Sequence, residues 1–146
     1  VFLAFMTAAN LQPDEESISS TDRPDIRCAI DGETRHFELA RIIAEAVAEK
    51  TSARRKSSDA GFSFSQSAPI VDVAAKKRKR GHEYAGTPLD LVLHFDLRWG
   101  TKYAFEQLIK KKSIRGPLVD LVRGGPFSRV WIFDEFTQSI VRCFSK

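Results

Sequence analysis

Asp25 and Glu38 are the first residues in this 146-residue chain whose types and spacing could do chemistry. Asp25 follows Pro24 directly, and twelve residues separate it from Glu38. Between them lies Asp31-Gly32, a strong signal for a two-residue hairpin turn. With that turn, Ile30 pairs with Glu33, Ala29 with Thr34, Cys28 with Arg35, Arg27 with His36 and Ile26 with Phe37. Asp25 then falls opposite Glu38. Side chains alternate along a strand, so Asp25, Arg27, Ala29, Thr34, His36 and Glu38 share one face. Ile26, Cys28, Ile30, Phe37 and Leu39 share the other, which should be core. Directly opposed residues have Cβ atoms roughly 4.5–5.5 Å apart. Two carboxylates at that distance repel unless a shared proton, a cation such as Arg27, or a divalent metal offsets them. A metal so held can activate water and stabilise a phosphodiester in transition. The bland reading is that Asp25 caps a loop and Glu38 sits at a helix start, where the dipole favours acids.

The elements around the pair follow from pattern and punctuation. Val1 to Ala9 reads as a short core helix rather than a signal peptide, because it lacks a charged leading region. Leu11 to Pro24 is loop, Ile26 to Ile30 a strand and Thr34 to Leu39 its return. Leu39, Ile42, Ile43, Ala46 and Val47 form an apolar helical stripe, so a helix is expected next. Residues 51 to 88 read as a basic, partly mobile excursion from a single domain spanning 1 to 146. Leu89 to Phe95 is apolar on both faces and should be a central strand. Thr101 can cap a helix from Lys102 to Lys112 that buries Ala104, Phe105, Leu108 and Ile109. A short helix from Leu118 to Arg123 starts with Pro117 in its first turn. Val130 to Phe133 and Ser139 to Phe144 close the chain as strands. This order predicts an α/β fold with a mixed central β-sheet flanked by helices.

Composition is that of an ordinary globular domain, with 42% hydrophobic and 29% charged residues. No apolar run approaches a membrane span, so no membrane role is expected. The net charge of +4 is unevenly spread. Between Lys50 and Arg80 stand nine Lys/Arg and two acids, a net of +7, which leaves −3 for the remainder. Cys28 and Cys143 are far apart, show no zinc-ligand spacing and are expected to be buried, reduced thiols. That fits a cytoplasmic protein.

Pro24-Asp25, the twelve-residue spacer and Glu38-Leu39-Ala40 together resemble the core motif of the PD-(D/E)XK, or restriction-endonuclease-like, nuclease superfamily. The element order over Val1 to about Phe95 is similar too. The resemblance implies a restriction-endonuclease-like fold, Asp25 and Glu38 as catalytic metal ligands, Mg²⁺ as cofactor and nucleic acid as partner. The family's lysine falls on Ala40, which cannot replace it. The acid often seen in the family's first helix has no counterpart between Val1 and Asn10. Arg41 should point to the opposite face. Lys50 or the helix face at Glu45 could supply a migrated group, but no spacing rule selects either.

Lys76, Lys77, Arg78, Lys79 and Arg80 form the other conspicuous tract, read as nucleic-acid-binding through phosphates or else as a solvated loop tip. His36, His82 and His94 show no triad logic; His36 could support Glu38 from two residues away. Trp99 and Trp131 are expected to anchor packing or an interface. Two functional readings follow. One is a nucleic-acid-associated protein with a divergent Mg²⁺-dependent nuclease site, active or lapsed into binding only. The other is a non-catalytic protein-interaction domain on the same fold, contacting partners through the C-terminal hairpin or forming a homodimer through the edge strand Ser139 to Phe144.

Overall fold

Both residues of the hairpin turn carry positive φ, 53° at Asp31 and 79° at Gly32, as a tight turn that follows strand twist requires. In the computed structural model, which describes residues 1–42, 68–81, 88–96 and 102–146, this turn joins β2 (Ile26–Ile30) to β3 (Glu33–Arg41). The antiparallel register is the one the turn predicts, from Ile30 opposite Glu33 to Ile26 opposite Phe37. A two-residue strand, β1 (Ser19–Ser20), pairs antiparallel with β2 on the outside.

Beyond β3 the sheet becomes parallel. β4 (Leu89–Phe95) lies beside β3, and β5 (Arg129–Asp134) lies beside β4. β6 (Ser139–Ser145) returns antiparallel and forms the far edge, so the six strands stand in sequence order. Asp134 shapes the last turn: its carboxylate accepts from Phe136 N at 2.9 Å and from Thr137 Oγ1 at 2.6 Å. The sheet is thus mixed and flanked by helices, as expected. β4 is central, and five of its residues are completely buried apolar side chains, which accounts for a strand apolar on both faces.

Each sheet face has its own core. On one, α1 (Phe2–Ala8) packs Phe2, Phe5 and Met6 onto Cys28, Ile30, Phe37, Val92, Trp131 and Phe133. Phe5 is wholly buried and meets Phe37, Trp131 and Phe133 edge-on, with ring centroids 5.6–6.1 Å apart. On the other face lie α2 (Ala68–Gly81), α3 (Lys102–Lys110) and α4 (Lys112–Arg123). Their Ile70, Ala74, Leu108, Ile109, Ile114, Leu118, Leu121 and Val122 cover Leu89, Leu91, Leu93, Val130 and Ile132. Among the described residues no helix is long and apolar enough to cross a membrane.

Several expectations change. Leu39 belongs to β3, which runs on to Arg41, because the parallel partner β4 continues the ladder to Arg41 opposite His94. Ile42, next after β3, is buried in the core of the helical face, and the rest of the expected stripe (Ile43, Ala46, Val47), with Glu45, Lys50, His82, Trp99 and Thr101, lies outside the described residues. Within the expected excursion, 68–81 is a helix that buries Ile70 and Ala74 in the core. The last helix begins at Lys112, with Pro117 inside it, because burying Ile114 rewards an extra turn upstream. Cys28 is buried as expected, whereas Cys143 is exposed on the edge strand.

Asp90 is the buried charge of the α1 face. It accepts from Trp131 Nε1 at 3.1 Å and forms an ion pair with Arg129, whose Nε is 3.0 Å away and whose guanidinium lies 5.2 Å from the Trp131 ring centroid. Burial pushes its pKa up to about 6, against the Trp131 hydrogen bond and the Arg35 charge, which lower it.

Two outcomes are expected. Phe5→Ala should destabilise the protein by about 3–5 kcal/mol in denaturant unfolding, the range for emptying a packed aromatic site. Because folded Asp90 keeps its proton to a higher pH than an unfolded aspartate does, its contribution to stability falls as pH rises from about 4 to 6. Stability of the native protein relative to Asp90→Asn should therefore drop by up to about 3 kcal/mol across that window and level off above it. Unfolding curves of both proteins at several pH values check this.

Candidate active site

Asp25 stands one residue before β2, where the antiparallel ladder ends. Its carboxylate takes over from the missing strand: Oδ2 accepts from Leu39 N at 2.7 Å. Its own carbonyl accepts from Thr21 N at 3.2 Å, and Thr21 Oγ1 donates to the carbonyl of Pro24. One main-chain bond to Thr21 and one side-chain bond to Leu39 N thus fix Asp25 beside β3. Glu38 follows on β3, opposite Leu91 of β4 and only 4% exposed. It points toward the helical face, whereas its neighbours Phe37 and Leu39 pack with the α1 core.

Lys77 supplies the cation that offsets the pair. Its ammonium donates to Glu38 Oε2 and lies 3.6 Å from Asp25 Oδ2. The Lys77 and Glu38 side chains are 13% and 5% exposed, while that of Asp25 is 39% exposed. The site thus has a closed side, at Glu38, and an open one, at Asp25. Arg27, the cation suggested by the hairpin register, is exposed. The cation present comes instead from α2, which lies across the sheet and buries Ile70 and Ala74.

This residue was read in the sequence as one of five equivalent members of a basic tract. The signal that distinguishes it is helical spacing. Ile70, Ala74 and Lys77 are four and three residues apart, which puts the lysine on the buried stripe of its helix. Lys76, Arg78 and Lys79 are exposed. The tract therefore lies on a helix and not at a loop tip, and it splits into one inward-facing cation and outward-facing ones.

The remaining candidates sort by face. Ala40 is buried on the side of the sheet that carries Glu38. His36 is there as well, half-buried, with Nδ1 lacking a hydrogen-bond partner among the described residues. Burial above all, then the Arg27 charge, pushes its pKa down, against a backbone hydrogen bond at Pro88. Arg41 points the other way, as strand alternation requires, with Nε 4.0 Å from Glu135 Oε1. His94 Nδ1 is 2.6 Å from the same oxygen. Trp131 is a packing residue whose indole N–H is taken by Asp90.

Two carboxylates that one ammonium can reach are also within reach of one hard cation. Among the described residues no group of three or more His, Cys, Asp or Glu could hold a metal. An ion at this pair would complete its shell with water or substrate oxygens, the habit of Mg²⁺.

No protein-family model matches the chain, and no curated protein or solved structure is significantly similar to it.

Removing Lys77 leaves two facing carboxylates, one of them buried. Lys77→Met should cost about 3–5 kcal/mol at neutral pH, the range for stripping one partner from a buried pair. The double variant Lys77→Met/Glu38→Leu should recover a large part of that loss. Urea unfolding of the two variants checks this, and equal losses would show that the ion pair is not coupled.

Proposed function

We propose that this chain is a divergent metal-dependent phosphodiester hydrolase of the restriction-endonuclease-like class, acting on nucleic acid. The observation that carries the reading is the Lys77 ammonium beside Asp25 and Glu38. The motif resemblance calls for a lysine at position 40, where this chain has alanine. A lysine arriving from α2 supplies the missing charge from another element. The sheet supports the reading too. An antiparallel hairpin carries the acids, and its second strand leads into a parallel one.

In this mechanism Asp25 and Glu38 would hold a divalent ion, Mg²⁺ in the simplest case, which would supply Lewis acidity when bound. Glu38, fixed by its burial, sets the position of the site. Asp25, fixed by the Leu39 N–H and more exposed, faces the side from which substrate arrives. Lys77 donates hydrogen bonds from a charged nitrogen. It can orient the attacking water and offset negative charge as it develops on the phosphoryl oxygens. Lys76, Arg78 and Lys79, exposed on the same helix, would meet neighbouring phosphates without regard to sequence.

A second reading has its own observation. An ammonium that already satisfies both carboxylates is also a tether that fastens α2 to the sheet, as in a relative that binds nucleic acid without cleaving it. Incubating plasmid and single-stranded DNA with the protein in Mg²⁺ or Mn²⁺ separates the two. Cleavage should be abolished by chelation and should fall at least about a hundredfold in Asp25→Asn and Glu38→Gln, typical for loss of a preorganised charge. Thermal melts should confirm that both variants are folded. Cleavage that survives either substitution would remove these residues from the chemistry, and salt-sensitive binding without cleavage would favour the tether.

A further inference from the structure

A second concentration of positive charge lies away from the candidate site, at the opposite edge of the sheet. Lys110, Lys111 and Lys112 span the junction of α3 and α4, Arg115 follows on α4, and Arg142 projects from β6. All five are exposed, and none has an ion-pair partner among the described residues. Lys110, Arg115 and Arg142 rim a groove of about 520 Å³. Its floor includes Ile109 and Phe144, and Glu106 is the one acid in its lining.

The placement of these cations works against the helix that carries them. The N-terminus of α4 is the positive end of its dipole, where acids are stabilising and cations are not. Yet its first turn has no acid, and its N-cap, Lys111, makes no side-chain cap hydrogen bond. Glu106 is one acid against three cations in the groove lining, so an external polyanion would complement the positive field that remains.

We propose that this groove is a docking track for a phosphodiester strand, a second nucleic-acid contact separate from the Asp25–Glu38–Lys77 site. The inference rests on the nucleic-acid part of the function proposed above. Charge complementarity selects the occupant. One small anion would neutralise a rim cation or two, but Lys111 and Lys112 carry the positive field past the groove along the helix junction, so the fitting ligand is an extended polyanion. The apolar floor accommodates sugar and base surface, while the rim takes phosphates. Contacts of this kind fix a strand in place without reading its sequence.

The test is fluorescence anisotropy of a labelled single-stranded oligonucleotide in chelator, where no cleavage can occur. Arg115→Glu/Arg142→Glu should bind at least about tenfold more weakly than the native protein at low salt. For two lost phosphate contacts, its log–log salt slope should be shallower by about 1.4. Both substitutions are on exposed side chains, so the melting temperature should hold. Unchanged affinity and slope in the folded variant would overturn the inference. Displacement of the oligonucleotide by poly-glutamate at equal charge would overturn it in favour of an acidic peptide. A native dimer that dissociates in the variant, seen by sedimentation velocity, would assign the groove to a second copy. Hydrolysis of the small ester bis(p-nitrophenyl) phosphate needs no docking track. It should be equal in the native and doubly reversed proteins, and its absence from both would count against the hydrolase alone.

Discussion

Register at the β2–β3 hairpin is the constraint on which the remaining arrangement depends. The positive φ angles at Asp31 and Gly32 permit a two-residue turn, and that turn fixes which residues face which side. A slip of one position would exchange the two faces of β3. Glu38 would then enter the aromatic cluster beneath α1, and Phe37 would be presented to Lys77. Neither core could form as it does, because the Phe5 cluster needs Phe37 and the α2 ion pair needs Glu38. Apolar burial on one face and charge neutralisation on the other therefore enforce the same register.

The two faces use burial differently. Around α1, aromatic rings meet edge-on and leave little to adjust, and the charged member, Asp90, is satisfied by a guanidinium and an indole within that layer. Around α2 the apolar stripe ends in Lys77, so the helix docks by hydrophobic contact along most of its buried side and by charge at one point. Such a point contact gives little net stability relative to a well-packed apolar pair. The apolar stripe therefore carries most of the docking of α2, and the ion pair fixes where Lys77 lies relative to Asp25 and Glu38.

Much of this was legible in residue types. Asp31-Gly32 announced the turn, alternation placed Asp25 and Glu38 together, and the doubly apolar run from Leu89 announced a central strand. The source of the third charge was not evident, because a run of five basic residues reads as one block when no helix is assigned to it. Ile70 and Ala74 carried the periodicity, but Ser, Gly and Lys dominate their surroundings and dilute the pattern. The basic groove was hidden for another reason: Arg142 is distant in sequence from Lys110 and Arg115, and only the return of β6 beside α4 brings them together. Pro117 misled in a simpler way, since a proline that can start a helix can also sit a turn inside one when a buried Ile114 draws the helix upstream.

Cys143 has a consequence of a chemical kind. It sits on the exposed edge strand across from Trp131, yet burial of its thiol, and secondarily the Asp90 charge, push the pKa up to about 11. At neutral pH the thiolate is then about a hundredfold scarcer than in an ordinary cysteine, and thiolate is the species that attacks disulfides and electrophiles. Two such edges brought together by chance would be slow to become covalently joined. The exposed edge thus carries a thiol that reacts slowly at neutral pH and faster in alkali.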